Sequence, residues 1–387
     1  MLQFAKNLVR RQTSDPGFVF SRPLLAIQSD DWGRVGVRDR DACDSLRAQG
    51  VNLGEHPYDF YSLETSEDVE MLGSMLLRHR DSIGRPPCVA MNFCTANLNF
   101  PKMRAQGYEH IKLLPLASGL PGSWSRPGLF EAYKSGIANG VFFPAMHSLT
   151  HFCPVAVENA LARGGERADL LRKFWRAETP YVYWRMPWVG YEYWNPERPH
   201  RGFLSAELQE LQIRKAAACF SAMFGTPPIS ACAPGYFANH HTRRAWSEAG
   251  IRVAQNGTSG GMNAPHIDAV DILHLHRTID LEPSHRELDV EKYVQICDAY
   301  FSRGLPVIIS SHSINFHSTL KDFRSATLAA LDRLLSAIES KYPDLLYVHD
   351  QDLHAIVTEG VFRSRDERVA VLAKREWNRQ VVHQGAV

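Results

Sequence analysis

Short apolar runs recur along the chain, each bounded by Gly, Pro or polar residues and separated by stretches whose apolar positions fall three and four apart. The first kind of pattern predicts buried strands and the second amphipathic helices. Strands are expected at 24–33, 88–93, 141–146, 229–236, 251–254, 271–276, 306–312 and 345–349. Between them, helices are expected at 41–49, from Thr65 with Val69, Leu72, Met75 and Leu76 on one face, at 130–135, and at 242–250. Ser205 caps a long one with Leu208, Ala216, Cys219, Phe220 and Met223 on a shared face, and Leu328, Leu331, Leu334, Leu335 and Ile338 mark another. Strand and helix alternate about seven times, the pattern of a parallel sheet or closed α/β barrel.

In such folds chemistry gathers at the carboxyl ends of strands. The run from Leu24 ends in Asp30-Asp31-Trp32-Gly33, where a turning backbone lets both carboxylates reach one mouth, one to bind a cation and one to act as a base. The run at 141–146 ends in His147-Ser-Leu-Thr-His151. On one helical turn the two imidazoles would face the same way, and Asp plus two His is a metal-ligand set with a position left for water. A third run ends in Ser310-Ser-His312. A fourth ends in Pro234-Gly235-Tyr236, whose backbone N–H groups could face an oxyanion. His274 and His276, two apart on a strand, share a face as core histidines or as a second metal site.

The 387 residues are 44% hydrophobic, enough for a large core. Seven cysteines without a C-x-x-C pair indicate neither a disulfide framework nor a thiolate zinc site, and suit a reducing cytoplasm. A net charge of +1 without like-charge blocks gives no footprint for nucleic acid. No apolar run approaches the ~20 residues of a membrane span. Basic residues follow the first apolar ones, an order that argues against secretion. Residues 1–23 read as an N-terminal extension whose Leu2, Phe4, Leu8 and Val9, with Lys6, Arg10 and Arg11, form an amphipathic helix that docks on the body or makes peripheral contact with a membrane. The barrel spans 24–360, and the charged tail 361–387 reads as a surface helix or frayed end.

Residues 152–200 stand out as an insertion, with half of the eight Trp inside twenty residues. Trp188 is a candidate substrate contact there. The aromatic rings could stack a sugar or a nucleotide base, or pack as an ordinary lid.

From about Leu24 to Glu359 the chain resembles the polysaccharide deacetylases with the NodB homology fold, also called carbohydrate esterase family 4. Gln28-Ser-Asp30-Asp31-Trp-Gly33 is similar to the first motif, with the glycine displaced by Trp32. His147-Ser-Leu-Thr-His151 matches the second, and the strand ending in His312 is similar to the last. The resemblance implies a distorted (β/α)7 barrel, here with the aromatic-rich insertion, and metal-dependent removal of an acyl group from an amino sugar, polymeric or linked to a nucleotide or lipid. Asp31, His147 and His151 would hold Zn²⁺ or another divalent ion, Asp30 would be the general base, His312 the general acid, and Gly235 or Tyr236 the oxyanion donor.

Two departures stand against that pattern. Cys232 occupies the register of the Arg that orients the base, with Arg277 and Arg185 as possible stand-ins. The Asp that supports the acidic His is not legible, with Asp280 and Asp268 as candidates. Two other functions therefore stay open: hydrolysis of a non-sugar C–N bond in a cyclic amide or formamide, and a metal-containing barrel that only binds glycan.

Overall fold

The structure is a computed structural model that describes residues 17–197, 201–258, 261–363, 368–371 and 373–375. The main sheet has ten strands: β1 (Leu24–Trp32), β2 (Val89–Cys94), β3 (Phe142–Ser148), β4 (Ser230–Cys232), β5 (Val253–Asn256), β6 (His266–Ile267), β7 (Leu273–His276), β8 (Ile279–Asp280), β9 (Val307–His312) and β10 (Leu346–Tyr347). All eight expected strand regions are among them. Their order is β6-β7-β5-β4-β3-β2-β1-β9-β8, parallel except for β6 against β7, with β10 added beside the start of β1.

The two ends of that order are joined by the chain itself. β7 bonds to β5 and β8 bonds to β9, yet β7 and β8 are separated only by Arg277 and Thr278. Arg277 N–H donates to Asn256 O at 3.0 Å, and Thr278 N–H donates to Ile308 O at 2.9 Å. One continuous segment therefore changes partners partway along and closes the ring β1-β2-β3-β4-β5-(β7/β8)-β9. This is a distorted (β/α)7 barrel.

Local chemistry explains the helices around it. Thr65 accepts from Asp68 N–H at 3.1 Å while the Asp68 carboxylate accepts from Thr65 N–H at 2.9 Å, a reciprocal cap that starts the helix Ser66–Leu76. Its Val69, Leu72, Met75 and Leu76 are buried in the main core. The helix Ala206–Phe224 departs from expectation: its buried face is Gln209, Gln212, Ile213, Ala216 and Phe220, and Leu208 is exposed. Gln209 turns inward because its amide donates to Leu204 O at 2.7 Å and its oxygen accepts from Thr242 Oγ1 at 2.6 Å. A satisfied polar side chain can occupy the place that hydrophobicity alone assigns to leucine.

In the aromatic-rich segment 152–200, the helix Pro154–Arg163 buries Val157, Ala160 and Leu161, and the helix Gly165–Arg176 carries Phe174 and Trp175 into the core. The expected tail helix is not what the described tail residues form. Val361–Arg363 pairs with Arg368–Ala370, and Ala373–Arg375 pairs with Phe18–Phe20. The expected amphipathic segment at Leu2–Arg11 lies outside the described residues, as does the end of the charged tail from 376 onward. No described helix is long and apolar enough to cross a membrane.

Candidate functional site

The register between β1 and β2 shifts between Ser29 and Trp32, a bulge that falls on the Asp pair. Such an extra residue re-aims side chains. Asp31 takes φ 73° there, in the left-handed region that costs a non-glycine residue about 1–3 kcal/mol and persists where surroundings over-determine it. Asp30 faces the lumen, and Asp31 turns toward the mouth beside His147 and His151.

Asp30 is held from below. Arg277, at the partner change of the closing segment, donates from Nη2 to Oδ1 at 2.6 Å and from Nη1 to Oδ2 at 2.7 Å, and has essentially no exposed surface. Asn92 Nδ2 adds a bond to Oδ1 at 2.7 Å, and Gln28 and Gln255 accept from Arg277 at 3.2 and 3.0 Å. Burial alone would raise the Asp30 pKa, but the Arg277 charge and hydrogen bonds outweigh it and hold the carboxylate well below its usual range. Of the two stand-ins raised by the sequence, Arg277 reaches Asp30, whereas Arg185 pairs with Asp59 at 2.9 Å. Cys232 is close enough to contact both partners, its Sγ 3.9 Å from Asp30 Oδ2 and 3.7 Å from Arg277 Nη2.

His147 and His151 do converge, but not on a helical turn. His147 lies in β3 and His151 in the following loop at φ 70°, their ring centroids 5.2 Å apart. That loop is fixed by Glu192 from the insertion, fully buried, whose Oε2 accepts from the N–H groups of Leu149 at 2.8 Å and Thr150 at 3.0 Å. Burial raises Glu192 to about 7 against the pull of those donors. Burial likewise pushes His151 down to about 3, with Arg34 adding to the effect and Asp31 opposing it.

His147 Nδ1 donates to Cys232 O at 2.9 Å, and His151 Nδ1 lies 2.9 Å from the Tyr181 hydroxyl, so both Nε2 atoms face Asp31. They stand 3.6 and 3.2 Å from Asp31 Oδ1, a buried oxygen with no hydrogen-bond partner. Ligands ~2.1 Å from a tetrahedral ion stand about 3.4 Å apart, so the three donors fit a divalent cation such as zinc. The other Asp31 oxygen accepts from Arg34 Nη2 at 3.1 Å, and the Arg34 guanidinium lies over the Tyr61 ring at 4.0 Å. Burial works to raise the Asp31 pKa, but Arg34 and the two histidines outweigh it and hold it well below the carboxylate range.

The β1–β9 register sets His312 directly opposite Asp30. His312 Nε2 is 3.9 Å from Asp30 Oδ2, and its Nδ1 is 2.7 Å from Glu282 Oε1. Burial opposes the charged ring, but Glu282, with Asp30 and Asp31 behind it, prevails and raises the pKa to about 9. Glu282 thus occupies the supporting position for which Asp280 and Asp268 were candidates. Asp280 faces Arg286 at 3.7 Å, and Asp268 binds His274 Nε2 at 3.1 Å and Arg243.

The remaining expectations divide. His274 is satisfied by Asp268 and Asn256 and stacks on His266, and no second cluster around His274 and His276 has metal-ligand spacing among the described residues. The Tyr236 N–H is committed to Ala233 O at 2.8 Å, and its hydroxyl accepts from Arg277 Nη1 at 2.7 Å, which excludes that N–H as an oxyanion donor. Gly235 lines the cavity at φ 60°, with Tyr191 so close that a Cβ there would sit 2.7 Å from its ring. Trp188 does not line the cavity; it packs on the core beneath the guanidinium of Arg167. The insertion instead presents Tyr181, Val182, Tyr183, Trp184 and Tyr191 to a cavity of about 250 Å³ that has the Asp and His residues in its wall.

No protein-family model matches the sequence, and no curated relative does. Solved structures do. A protein provisionally described as a glycoside hydrolase/deacetylase from Parabacteroides distasonis is 10% identical, with 91% of this chain and 75% of that one covered at a TM-score of 0.51. A polysaccharide deacetylase from Mycobacterium smegmatis, also provisionally described, is 12% identical over 89% and 91% of the two chains at 0.44. A CE4 family pseudoenzyme from Bacillus anthracis is 8% identical over 86% and 66% at 0.35. The barrel fold is therefore one that this chain shares with a protein described as a deacetylase, despite almost complete sequence divergence.

Proposed function

We propose that the protein is a metal-dependent hydrolase that removes the acyl group from an N-acylated amino sugar, free, polymeric, or linked to a nucleotide or lipid, and that it works in the cytoplasm. The observation that carries this reading is geometric: Asp30, forked by Arg277, stands 3.9 Å from His312, itself bonded to Glu282, beside the Asp31–His147–His151 donor set.

Asp31, His147 and His151 would hold zinc or another divalent metal, which when bound polarises the amide carbonyl and acidifies a water. Asp30 accepts the proton of the water that attacks the carbonyl carbon, and Arg277 keeps that carboxylate charged until it does. His312 Nε2 gives its proton to the amide nitrogen as the C–N bond breaks, so the products are a carboxylic acid and an amine. Glu282 holds the imidazolium through Nδ1 and keeps it charged at neutral pH. Arg34 occupies one oxygen of Asp31 and leaves the other for the cation.

The test is acetate release from a panel of N-acetylated sugars by protein stripped of metal and reloaded with Zn²⁺. Metal-dependent release that disappears in Asp30→Asn supports the reading. No release from any sugar overturns it. A second reading, hydrolysis of a flat cyclic amide, is favoured by the ring-lined cavity wall, and including such compounds in the panel separates the two.

A further inference from the structure

We infer that this site admits one terminal acylated unit, or a free molecule of that size, and excludes the interior of a polysaccharide chain. The inference rests on the function proposed above and narrows its substrate class. The cavity is closed along one side by a clasp between the insertion and the loop at 52–61. Trp184 lies flat on His56, with centroids 4.5 Å apart and planes within 8°. The next residue, Arg185, donates to Asp59 through Nη2 at 2.9 Å and Nε at 3.2 Å.

The anchor of that clasp is rigid. Asp59 has no exposed surface, and its Oδ2 also accepts from the N–H groups of Gly54, Glu55 and His56 at 3.0, 3.1 and 3.1 Å. Swinging it outward would strip three backbone donors of their partner. A chain running across the site between the insertion and the loop at 52–61 would meet this clasp.

The cavity continues in another direction, past Tyr58, Tyr236 and His312, into a depression bordered by Asp280, His285 and Arg286. His312 stands at that boundary. The acyl carbonyl must reach the Asp31–His147–His151 end, while the amine must stay within reach of His312, so the rest of the substrate points outward through the open side. Volume agrees: the enclosed part beside the Asp and His residues is about 250 Å³, below the ~300–1,000 Å³ of ordinary ligand sites, and takes one unit, while the adjoining depression of about 430 Å³ receives what extends from it.

The experiment uses the full-length, metal-loaded protein and β-1,4-linked N-acetylglucosamine oligomers labelled at one end, with the deacetylated position read by tandem mass spectrometry. Acetyl loss is expected from one terminal unit only, and at equal total acetyl concentration the rate should fall about ten-fold as the chain becomes ten-fold longer. Acetyl loss from internal units overturns the inference while leaving the proposed function intact. No release from any oligomer or monomer overturns both. Trp184→Ala, at a side chain 59% exposed, removes the stack without touching the core. Combined with Arg185→Gln, it should admit internal units, and a folded double variant that still cleaves only ends overturns the clasp as the cause. Calorimetry on the same proteins gives a readout besides turnover: affinity should stop rising beyond the first one or two sugar units in the parent and continue to rise in the double variant.

Discussion

Glu282→Gln changes one charge at the His312 Nδ1 contact and keeps a side-chain oxygen that can still accept its proton. In the parent, Glu282 and the Asp pair overcome burial to raise His312 to about 9. Without the Glu282 charge the ring returns toward its ordinary ~6.5 or below. If protonated His312 is the acid, the rate at pH 8 follows the protonated fraction, about 0.9 at a pKa of ~9 and about 0.03 at ~6.5. The variant should therefore lose roughly 30-fold at pH 8 and almost nothing at pH 5.5. The assay is kcat/KM against pH, with the imidazole titrated in parallel by NMR. A loss equal at every pH would refute the reasoning, because it would mean that Glu282 only positions the ring. Stability carries the same sign. A raised folded pKa stabilises fully below ~6.5, and the contribution disappears as pH rises through about 9, so the gap between parent and variant in urea should close above that value. With the His312 side chain 31% exposed and partly screened, that gap should be on the order of 1–2 kcal/mol.

Arg277→Met removes the fork that neutralises a buried carboxylate and should cost about 3–5 kcal/mol in denaturant unfolding, with activity lost; a cost under about 1 kcal/mol would mean the pair is not buried as described. His151 sits at φ 70°, so His151→Gly should be more stable than His151→Ala by about 1 kcal/mol, reversing the usual order of these residues. Both should lose the metal by elemental analysis. Chelation of the parent should lower its Tm and zinc should restore it, whereas Asp30→Asn should keep the metal and lose turnover.

The strand ends were legible because a buried run that stops in Asp-Asp or His has few other reasons to carry those residues. What supports them was legible only in part: Arg277 was one of two candidates that the sequence could not choose between, and Glu282 was not among the candidates. Arg277 reaches Asp30 only because the closing segment changes partners at that residue, a property of the ring that no local pattern encodes. Glu282 supports His312 from a different strand connection, where nothing near it in sequence distinguishes it from Asp280. Trp184 and Trp188 are four apart in the same aromatic stretch, and only the fold decides that the first meets His56 while the second packs on the core. His147 and His151 converge, as their spacing suggested, but through a turn with a left-handed residue rather than through a helix. The buried Glu192 that fixes this turn lies 41 to 43 residues away from its partners His151, Thr150 and Leu149 and had no signal at all.

The partner change at Arg277 also bears on how the molecule assembles. Asp30 and Arg277 are 247 residues apart in the chain, and they meet only when the segment β7–β8 has joined β5 to β9. Contacts of such separation form late, after their loop-closure entropy has been met. Until then the barrel holds an uncompensated carboxylate facing its own lumen, which disfavours any compact state with the gap still open. A ring left unclosed, or closed in a shifted register, would keep the Asp30 carboxylate without Arg277 at its centre, so the same ion pair that fixes Asp30 also favours the one closed arrangement in which the two meet.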